Sequence, residues 1–251
     1  MLLLGIALSL PVVQTEIAKY VTEKINKDYK TDIKIEKVAI SVFGSVKLKG
    51  ILISDHHKDT LFFVNRLQTN LLSIKEVKDS RLFFGKARID GLNFKLKKYK
   101  GEPKTNLDLF VAIFDNGKPG SGKFRLRADD LYVTNSRFQL IDENLKNPKA
   151  LYFTKLNGEL EDFFIKGPQV TTLIKKLSLN DHRGLIVENL AADFTYTKKN
   201  IILKKMDLKT VSVIGLVWFQ TKPFILKKDQ PNGLCVDFSL VWIGLSLVGL
   251  V

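Results

Sequence analysis

The chain has 251 residues, of which 45% are hydrophobic and 26% are charged, so it contains enough apolar material to fold. Lys and Arg outnumber Asp and Glu by 40 to 26, and the net charge of +14 favours an anionic partner, either nucleic acid or phospholipid headgroups. A single cysteine, Cys235, excludes an intrachain disulfide framework.

The first thirteen residues are mostly apolar, but this run is shorter than the ~20 residues of a helix that spans a bilayer. No basic residue precedes it and no small-residue cleavage site follows it, which disfavours a signal peptide. Two interpretations stay open: the start of a buried helix, or the last turns of a membrane anchor. Because Met1 lies directly against the apolar run, we expect residues 1–13 to be part of an anchor.

A helical period follows the apolar run. Lys and Glu fill the positions between apolar residues that recur every four places, at Val13, Ile17, Val21 and Ile25. Pro11 lies near the first turn, where proline is tolerated. The pattern predicts a short amphipathic helix over residues 14–30.

From residue 31 to residue 210 the period changes to the two-residue alternation of strands, and one short pattern occurs four times. Each copy alternates up to a Gly, Asp or Asn, after which the alternation slips by one residue. A slip turns the later side chains to the other face unless an extra residue is absorbed. Gly, Asn and Asp tolerate the positive φ that absorbs it. We therefore predict bulged or sharply turned strands at Gly50, Gly91, Asp130 and Asn189.

The alternation also separates apolar from basic side chains, which predicts a sheet with one apolar and one charged face. Since few helices are predicted to cover it, the apolar face should close on itself or line a groove. Its candidate residues are Val46, Leu48, Ile51, Ile53, Ile89, Leu92, Phe94, Leu96, Leu126, Leu131 and Val133. We expect the opposite phase to face water or lipid headgroups, at Lys47, Lys49, Lys95 and Lys97.

Two further segments complete the pattern. Residues 106–114 have apolar side chains at 107, 110, 111 and 114, which predicts a two-turn helix laid on the sheet. Beyond Val211 the Lys-rich alternation fades, and residues 211–251 form an apolar tail to which we assign no structure. Two interpretations of this tail stay open: a second membrane segment, or a truncated or misread end.

Two segments of the sequence resemble ligand-binding sites, one for phosphate and one for a metal ion. Gly117–Lys123 has the spacing of a phosphate-binding loop, but Phe124 stands where such a loop needs Ser or Thr, so we predict a solvated loop. His56 and His57 lie between acids, yet neighbouring side chains on an extended chain point apart, and Lys58 opposes a cation. We predict a polar hairpin end there, no metal site, no cofactor and no enzymatic activity.

The net charge is the only feature of the sequence that favours nucleic-acid binding. Binding of single strands needs aromatic side chains among the basic ones, whereas most Phe residues here fall on the apolar phase, opposite Lys and Arg. We therefore predict no nucleic-acid partner.

Taken as a series, the motifs resemble the N-terminal part of the TamB family, within the AsmA-like group of Gram-negative envelope proteins, in the form found in Bacteroidetes. The similarity extends over about residues 5–210. The segments that carry it are Leu10–Thr15, Ile33–Gly50, Asp55–Leu61, Asp90–Leu92 and Tyr99–Leu107.

The resemblance implies a mainly β fold: an elongated, curved antiparallel sheet with an apolar groove, preceded by the anchor and the amphipathic helix. It also implies a single-pass inner-membrane protein whose bulk lies in the periplasm and conducts phospholipids between the inner and outer membranes. An alternative implication is a scaffold for translocation, assembly or secretion of proteins with a BamA-like outer-membrane partner. The family has no catalytic residues.

Overall fold

A computed structural model describes residues 15–16, 19–20, 22–23, 26–27, 30–41, 45–71, 81–113, 125–146, 148–166, 169–197, 200–212, 215–220 and 224–227. The predicted anchor at 1–13, the glycine-rich loop at 117–123 and Cys235 lie outside these residues.

The described residues are mainly β, as predicted, and their strands belong to one sheet. The strands are β1 (Asp32–Ile40), β2 (Ser45–Ser54), β3 (Thr60–Leu71), β4 (Arg81–Lys98), β5 (Arg125–Asp142), β6 (Lys149–Lys166), β7 (Gln169–Asp181), β8 (Ile186–Tyr196), β9 (Asn200–Ser212), β10 (Gly215–Gln220) and β11 (Phe224–Lys227). A helix, α1 (Asn106–Ile113), lies between β4 and β5 and confirms the helix predicted there.

The strands follow one another through the sheet in chain order, from β1 to β10, and β11 pairs with β9. Neighbouring strands are antiparallel except for β4 and β5, which run parallel. Parallel neighbours need a long crossover connection, and the segment that contains α1 supplies it. The prediction of a purely antiparallel sheet is therefore wrong, because the sheet is mixed.

Helical residues near the N-terminus cover the edge strand β1. Thr15 Oγ1 donates to the carbonyl of Val38 and accepts from its N–H, both at 3.3 Å. Asn26 does the same at Ile33, where its Nδ2 donates to the carbonyl at 2.8 Å and its Oδ1 accepts from the N–H at 2.9 Å. These side chains satisfy backbone groups that an edge strand otherwise exposes. The described helical positions fall inside the helix predicted over 14–30.

None of the helices in the described parts of the chain combines the length and the hydropathy needed to cross a bilayer. At the other end, β9 continues to Ser212, and both β10 and β11 lie within the segment 211–251 to which the sequence assigned no structure. Strand pairing thus continues past the predicted end of the sheet at residue 210.

Candidate functional site

Apolar side chains form rows that cross the sheet from strand to strand. One row pairs Ile53 of β2 with Phe62 and continues through Phe94, Phe138 and Phe153. The successive ring centroids of these phenylalanines lie 4.4, 5.2 and 5.9 Å apart. Each such aromatic contact stabilises by about 0.5–1.5 kcal/mol beyond area burial. The four rings therefore form a continuous aromatic row from β3 to β6.

A line of unusual backbone crosses the sheet beside these rows. It consists of Glu36, Gly50, Asn65, Gly91 and Asn135, one from each of β1 to β5, and we call it the first crease. Three of its members have positive φ: 63° at Gly50, 68° at Gly91 and 50° at Asn135. The pairing register is the same on both sides of the crease. The neighbouring strands therefore turn together at the same level.

Apolar residues on either side of the first crease are three positions apart instead of two. Leu48 and Ile51 flank the crease in β2, and Ile89 and Leu92 flank it in β4. The positive φ at Gly50 and Gly91 confirms the slips predicted there. Because the strands from β1 to β5 slip at the same level, apolar side chains remain opposite apolar side chains of the neighbouring strand on both sides of the crease.

A second line of irregular backbone runs roughly parallel to the first. Asp162 of β6 has a φ of 48° and lies opposite Asp129 of β5. Through Leu173 and Asp193 the line reaches β9, where Lys205 has a φ of 49°. We call Asp129, Asp162 and Lys205 the second crease.

Of the other two predicted slip positions, Asp130 differs from the prediction, whereas a register shift beside Asn189 confirms the bulged strand predicted there. Asp130 and Asn189 are described but are not among the residues with positive φ. Pairing stays regular at Asp130, whereas the register between β8 and β9 does shift at Val187–Asn189. In β5 the residue with positive φ is Asn135, which the sequence analysis missed. The sequence signal there is the asparagine itself, which tolerates positive φ, and the buried positions change phase around it, between Val133 and Ser136.

The apolar face continues through the second crease. Four buried residues form its core cluster: Ala87, Ala128, Leu131 and Val133. Phe84, Leu156 and Phe163 pack against this cluster, together with Ile89 and Leu160. Phe84, Ala128 and Phe163 lie beyond the second crease, while Leu156 lies at the first. Side chains from both sides of the second crease therefore share one packed surface.

All eleven residues predicted for the apolar face have restricted exposure. Leu131 and Val133 are buried, at 8% and 7% exposure, and the other nine are half-buried. Pairing brings Leu48, Ile89 and Val133 into one row. Other rows join Val46 with Leu131, Ile51 with Leu92, and Ile53 with Phe94, while Leu96 and Leu126 lie towards opposite ends of the long strands.

The four lysines predicted to lie on the charged face fall into two groups. Lys47 and Lys49 are exposed, as expected. Lys95 and Lys97 are not free to face water or headgroups: their side chains are 23% and 16% exposed, and both are ion-paired. Lys95 Nζ lies 2.9 Å from Asp59 Oδ1. For these two lysines the prediction is wrong.

The ion pairs of Lys95 and Lys97 stabilise the ionised acids at this end of the sheet. Burial opposes ionisation of Asp59, but the hydrogen bond from Lys95 and the backbone N–H of Thr60 outweigh it, so the pKa of Asp59 is lowered. Lys97 lies 2.8 Å from Glu143 and lowers the pKa of that carboxyl in the same way.

An exposed basic strip lies on the face opposite the apolar rows. Lys37, Lys49 and Arg66 are adjacent in register, and the next residue in the row is Asp90. Arg88 is also exposed and lies 5.8 Å from the ring centroid of Tyr132. This strip therefore carries three cations beside one acid.

Helix α1 is fixed at one end of β4. Asn106 is fully buried; its Oδ1 accepts from Lys97 N–H at 2.8 Å, and its Nδ2 donates to the carbonyl of Lys95 at 3.0 Å. Burial raises the pKa of Tyr196 in β8, and the Asp108 carboxylate of α1 raises it further.

Comparison with known proteins assigns no family to this chain: no protein-family model matches it, and no curated protein matches it. The TamB resemblance and the function that it implies therefore remain proposals. Their support is the arrangement of the apolar and basic faces.

Proposed function

We propose that this chain is a non-enzymatic, TamB-like envelope protein whose apolar face binds phospholipid acyl chains. In this proposal it is anchored in the inner membrane, lies mainly in the periplasm and conducts lipid between the two membranes. One observation carries the proposal: the apolar rows continue across both creases while most of their side chains are only half-buried.

The position of α1 supports a groove instead of a flat surface. Tyr196 belongs to the row that runs through Val170, Ile165 and Leu126 to Leu82 of β4. In a flat sheet, Leu82 would lie about 43 Å from Lys95 along the strand, at ~3.3 Å per residue. Asp108 of α1 raises the pKa of Tyr196 although α1 is fixed at Lys95, which favours a curved sheet over a flat one. In this proposal the sheet bends at the two creases, with the apolar rows on the inside.

Half-buried apolar rows suit a lipid. Each methylene group removed from water stabilises a complex by about 0.8 kcal/mol, so an acyl chain laid along the groove gains from every row that it covers. Exposed lysines and arginines on the outer face suit anionic headgroups at a membrane surface. The proposed function is non-enzymatic, so it assigns no catalytic role to any residue.

Site-specific photo-crosslinking tests the proposal with one apolar and one basic position on each of β2 and β4. A photoreactive residue at Leu48 or Leu92 should capture phospholipid when the full chain is incubated with vesicles. The same residue at Lys47 or Arg88 should not, because those positions lie on the exposed phase. Lys95 and Lys97 are unsuitable controls, since replacing them also breaks ion pairs. Equal labelling at all four test positions would contradict the proposal.

The alternative function, a scaffold for outer-membrane protein assembly, would use an unpaired sheet edge to bind a strand of the partner. At the β1 edge, Thr15 and Asn26 already occupy the backbone groups of Val38 and Ile33. This observation favours lipid binding over strand addition at β1. Capture of a BamA-like barrel by a chain carrying Asp at Leu48 and Leu92 would reverse that preference.

A further inference from the structure

Two histidines and a glutamate meet where the β2–β3 turn approaches the segment after β4. His56 Nε2 lies 2.9 Å from Glu102 Oε2, and His57 Nε2 lies 2.7 Å from Glu102 Oε1. The three donor atoms all lie within 4.8 Å of one another. The expectation that adjacent histidines point apart is wrong here, since both rings reach the same carboxylate.

A tight turn brings the two rings together. Asp55 Oδ1 accepts from the N–H of His57 at 2.9 Å and from the N–H of Asp59 at 3.0 Å, which closes the turn. Lys58 has a φ of 66°, so the chain reverses there instead of remaining extended. The alternation of side chains along an extended strand therefore does not extend into this turn.

Hydrogen bonds among buried side chains stabilise the turn. Asp55 is 5% exposed, and its Oδ2 accepts from Tyr99 Oη at 2.7 Å and from Asn106 Nδ2 at 3.0 Å. The Tyr99 ring lies 3.9 Å from the ring of His57 and 5.3 Å from that of His56.

A second turn places the glutamate. Glu102 N–H donates to the carbonyl of Tyr99 at 3.1 Å, and Gly101 N–H donates to Asn144 Oδ1 at 2.8 Å. All three donor residues are thus attached to short turns that share Tyr99 as a support. The side chains of His56, His57 and Glu102 are 32%, 47% and 28% exposed, so an ion has access from solvent.

We propose that His56, His57 and Glu102 form a binding site for a divalent transition metal, with zinc as the best match. Zinc takes two imidazoles and a carboxylate at about 2.0–2.2 Å and leaves a fourth position to water. Tetrahedral donors at these lengths are about 3.3 Å apart, close to the nitrogen–oxygen distances already present. Imidazole donors disfavour Mg²⁺ and Ca²⁺, which prefer oxygen ligands.

A bound ion would replace the two histidine–glutamate hydrogen bonds with metal–ligand bonds. It would thereby join the β2–β3 turn to the connection that leads into α1. The competing hypothesis is that the hydrogen bonds themselves tie these loops together and no metal binds. This inference does not depend on lipid binding, so either proposal can fail without the other.

Calorimetric titration of the full chain with zinc chloride distinguishes the two hypotheses. We expect one equivalent to bind, and the single variants His56→Gln, His57→Gln and Glu102→Gln to bind at least tenfold more weakly. The matched control is His182→Gln, in the polar turn between β7 and β8, where the ring lies 2.8 Å from Asp181. This variant should bind like the wild type. Absence of binding to the wild type, or equal weakening by His182→Gln, would overturn the site.

Nitrogen NMR of the wild-type imidazoles tests the same site without any substitution. On addition of zinc, the Nε2 resonances of His56 and His57 should shift while those of His182 stay in place. Magnesium and calcium chloride at the same concentration should shift none of them. Zinc that binds without moving the His56 and His57 resonances would show that the ion is held elsewhere.

Discussion

The first crease crosses β1 to β5 and the second is defined in β5, β6 and β9, and the two use different residues. At the first crease the positions of positive φ in β2 and β4 are Gly50 and Gly91, whereas at the second the positions in β6 and β9 are Asp162 and Lys205. Pairing registers are unshifted through the first crease between β1 and β5. They shift at the second, beside Asp162 and beside Lys205.

The surroundings of each crease explain the choice of residue. A Cβ at Gly50 would collide with the Glu36 side chain, and one at Gly91 would lie 2.9 Å from Asn65 Cβ. Asp162 and Lys205 side chains are instead 78% and 85% exposed, so only the backbone strain of positive φ has to be offset. Glycine is therefore needed where a neighbouring strand fills the space, and other residues suffice where the side chain reaches solvent.

The largest effect is expected from Gly91→Ala. The new Cβ lies 2.9 Å from Asn65 Cβ, an atom that no change of rotamer can move, while φ remains in the left-handed region, and the two penalties together should lower the free energy of unfolding by about 3 kcal/mol. Gly101→Ala is the matched control, because Gly101 has a φ of 80° but nothing within 4 Å of the added Cβ. It should lose only about 1 kcal/mol from backbone strain. Urea unfolding measures both, and equal losses would refute a steric origin of the difference.

An intermediate effect is expected from Gly50→Ala, of about 2 kcal/mol, because the new Cβ meets only the outer atoms of the exposed Glu36 side chain, which can rotate away. Adding Glu36→Ala removes those atoms. The double variant should therefore recover part of the loss, and a double-mutant cycle in urea measures the coupling. Purely additive losses would mean that Glu36 does not restrict the site.

A smaller effect with the opposite sign is expected at the second crease. Asp162→Gly removes the strain of a positive φ from a solvent-exposed residue, which should raise stability by about 0.5–1 kcal/mol. The variant also loses the weak ion pair with Arg127 at 3.6 Å, which contributes little because both side chains are exposed. A lower melting temperature for this variant would show that Asp162 stabilises the crease through its side chain.

The smallest effect is expected from Asp90→Asn, and it depends on pH. Asp90 accepts hydrogen bonds from Asn135 Nδ2 at 2.8 Å and Thr134 Oγ1 at 3.1 Å, and these lower its pKa. A carboxyl whose pKa is lower in the folded state stabilises the fold above its unfolded pKa, and that contribution is lost as the pH falls through the folded value. Asp90→Asn should therefore be slightly less stable than the wild type at pH 7 and equal to it well below 3.8, the ordinary value. A difference that persists in acid would exclude ionisation as its source.

The positions of the slips in β2 and β4 were predictable from sequence, because an apolar spacing of three residues around a glycine is typical of a bulged or turned strand. In β5 the same pattern indicated Asp130 instead of Asn135. That strand crosses both creases, and the buried positions change phase twice, between Ala128 and Leu131 and between Val133 and Ser136. A single repeat pattern could not separate two neighbouring slips. The helix α1 was predictable because its apolar spacing is local.

Contacts set by strand order were not predictable in this way. The parallel pairing of β4 and β5 depends on how the chain returns through α1, which local alternation does not record. His57 and Glu102 are 45 residues apart and meet only because β3 and β4 pair in register. Lys97 and Glu143 meet because β5 lies beside β4. Sequence alternation identified the faces of the sheet, whereas register determined the polar sites at its ends.

Alignment of the first crease from β1 to β5 has a mechanical consequence. Inter-strand hydrogen bonds run across the strands and therefore along the crease, so rotation about that line leaves their partners unchanged. The parts of the sheet on either side of the first crease can rotate about it, and only a few backbone dihedral angles in each strand need to change. Such a hinge would let the angle between the two parts of the sheet change while every inter-strand hydrogen bond keeps its partner.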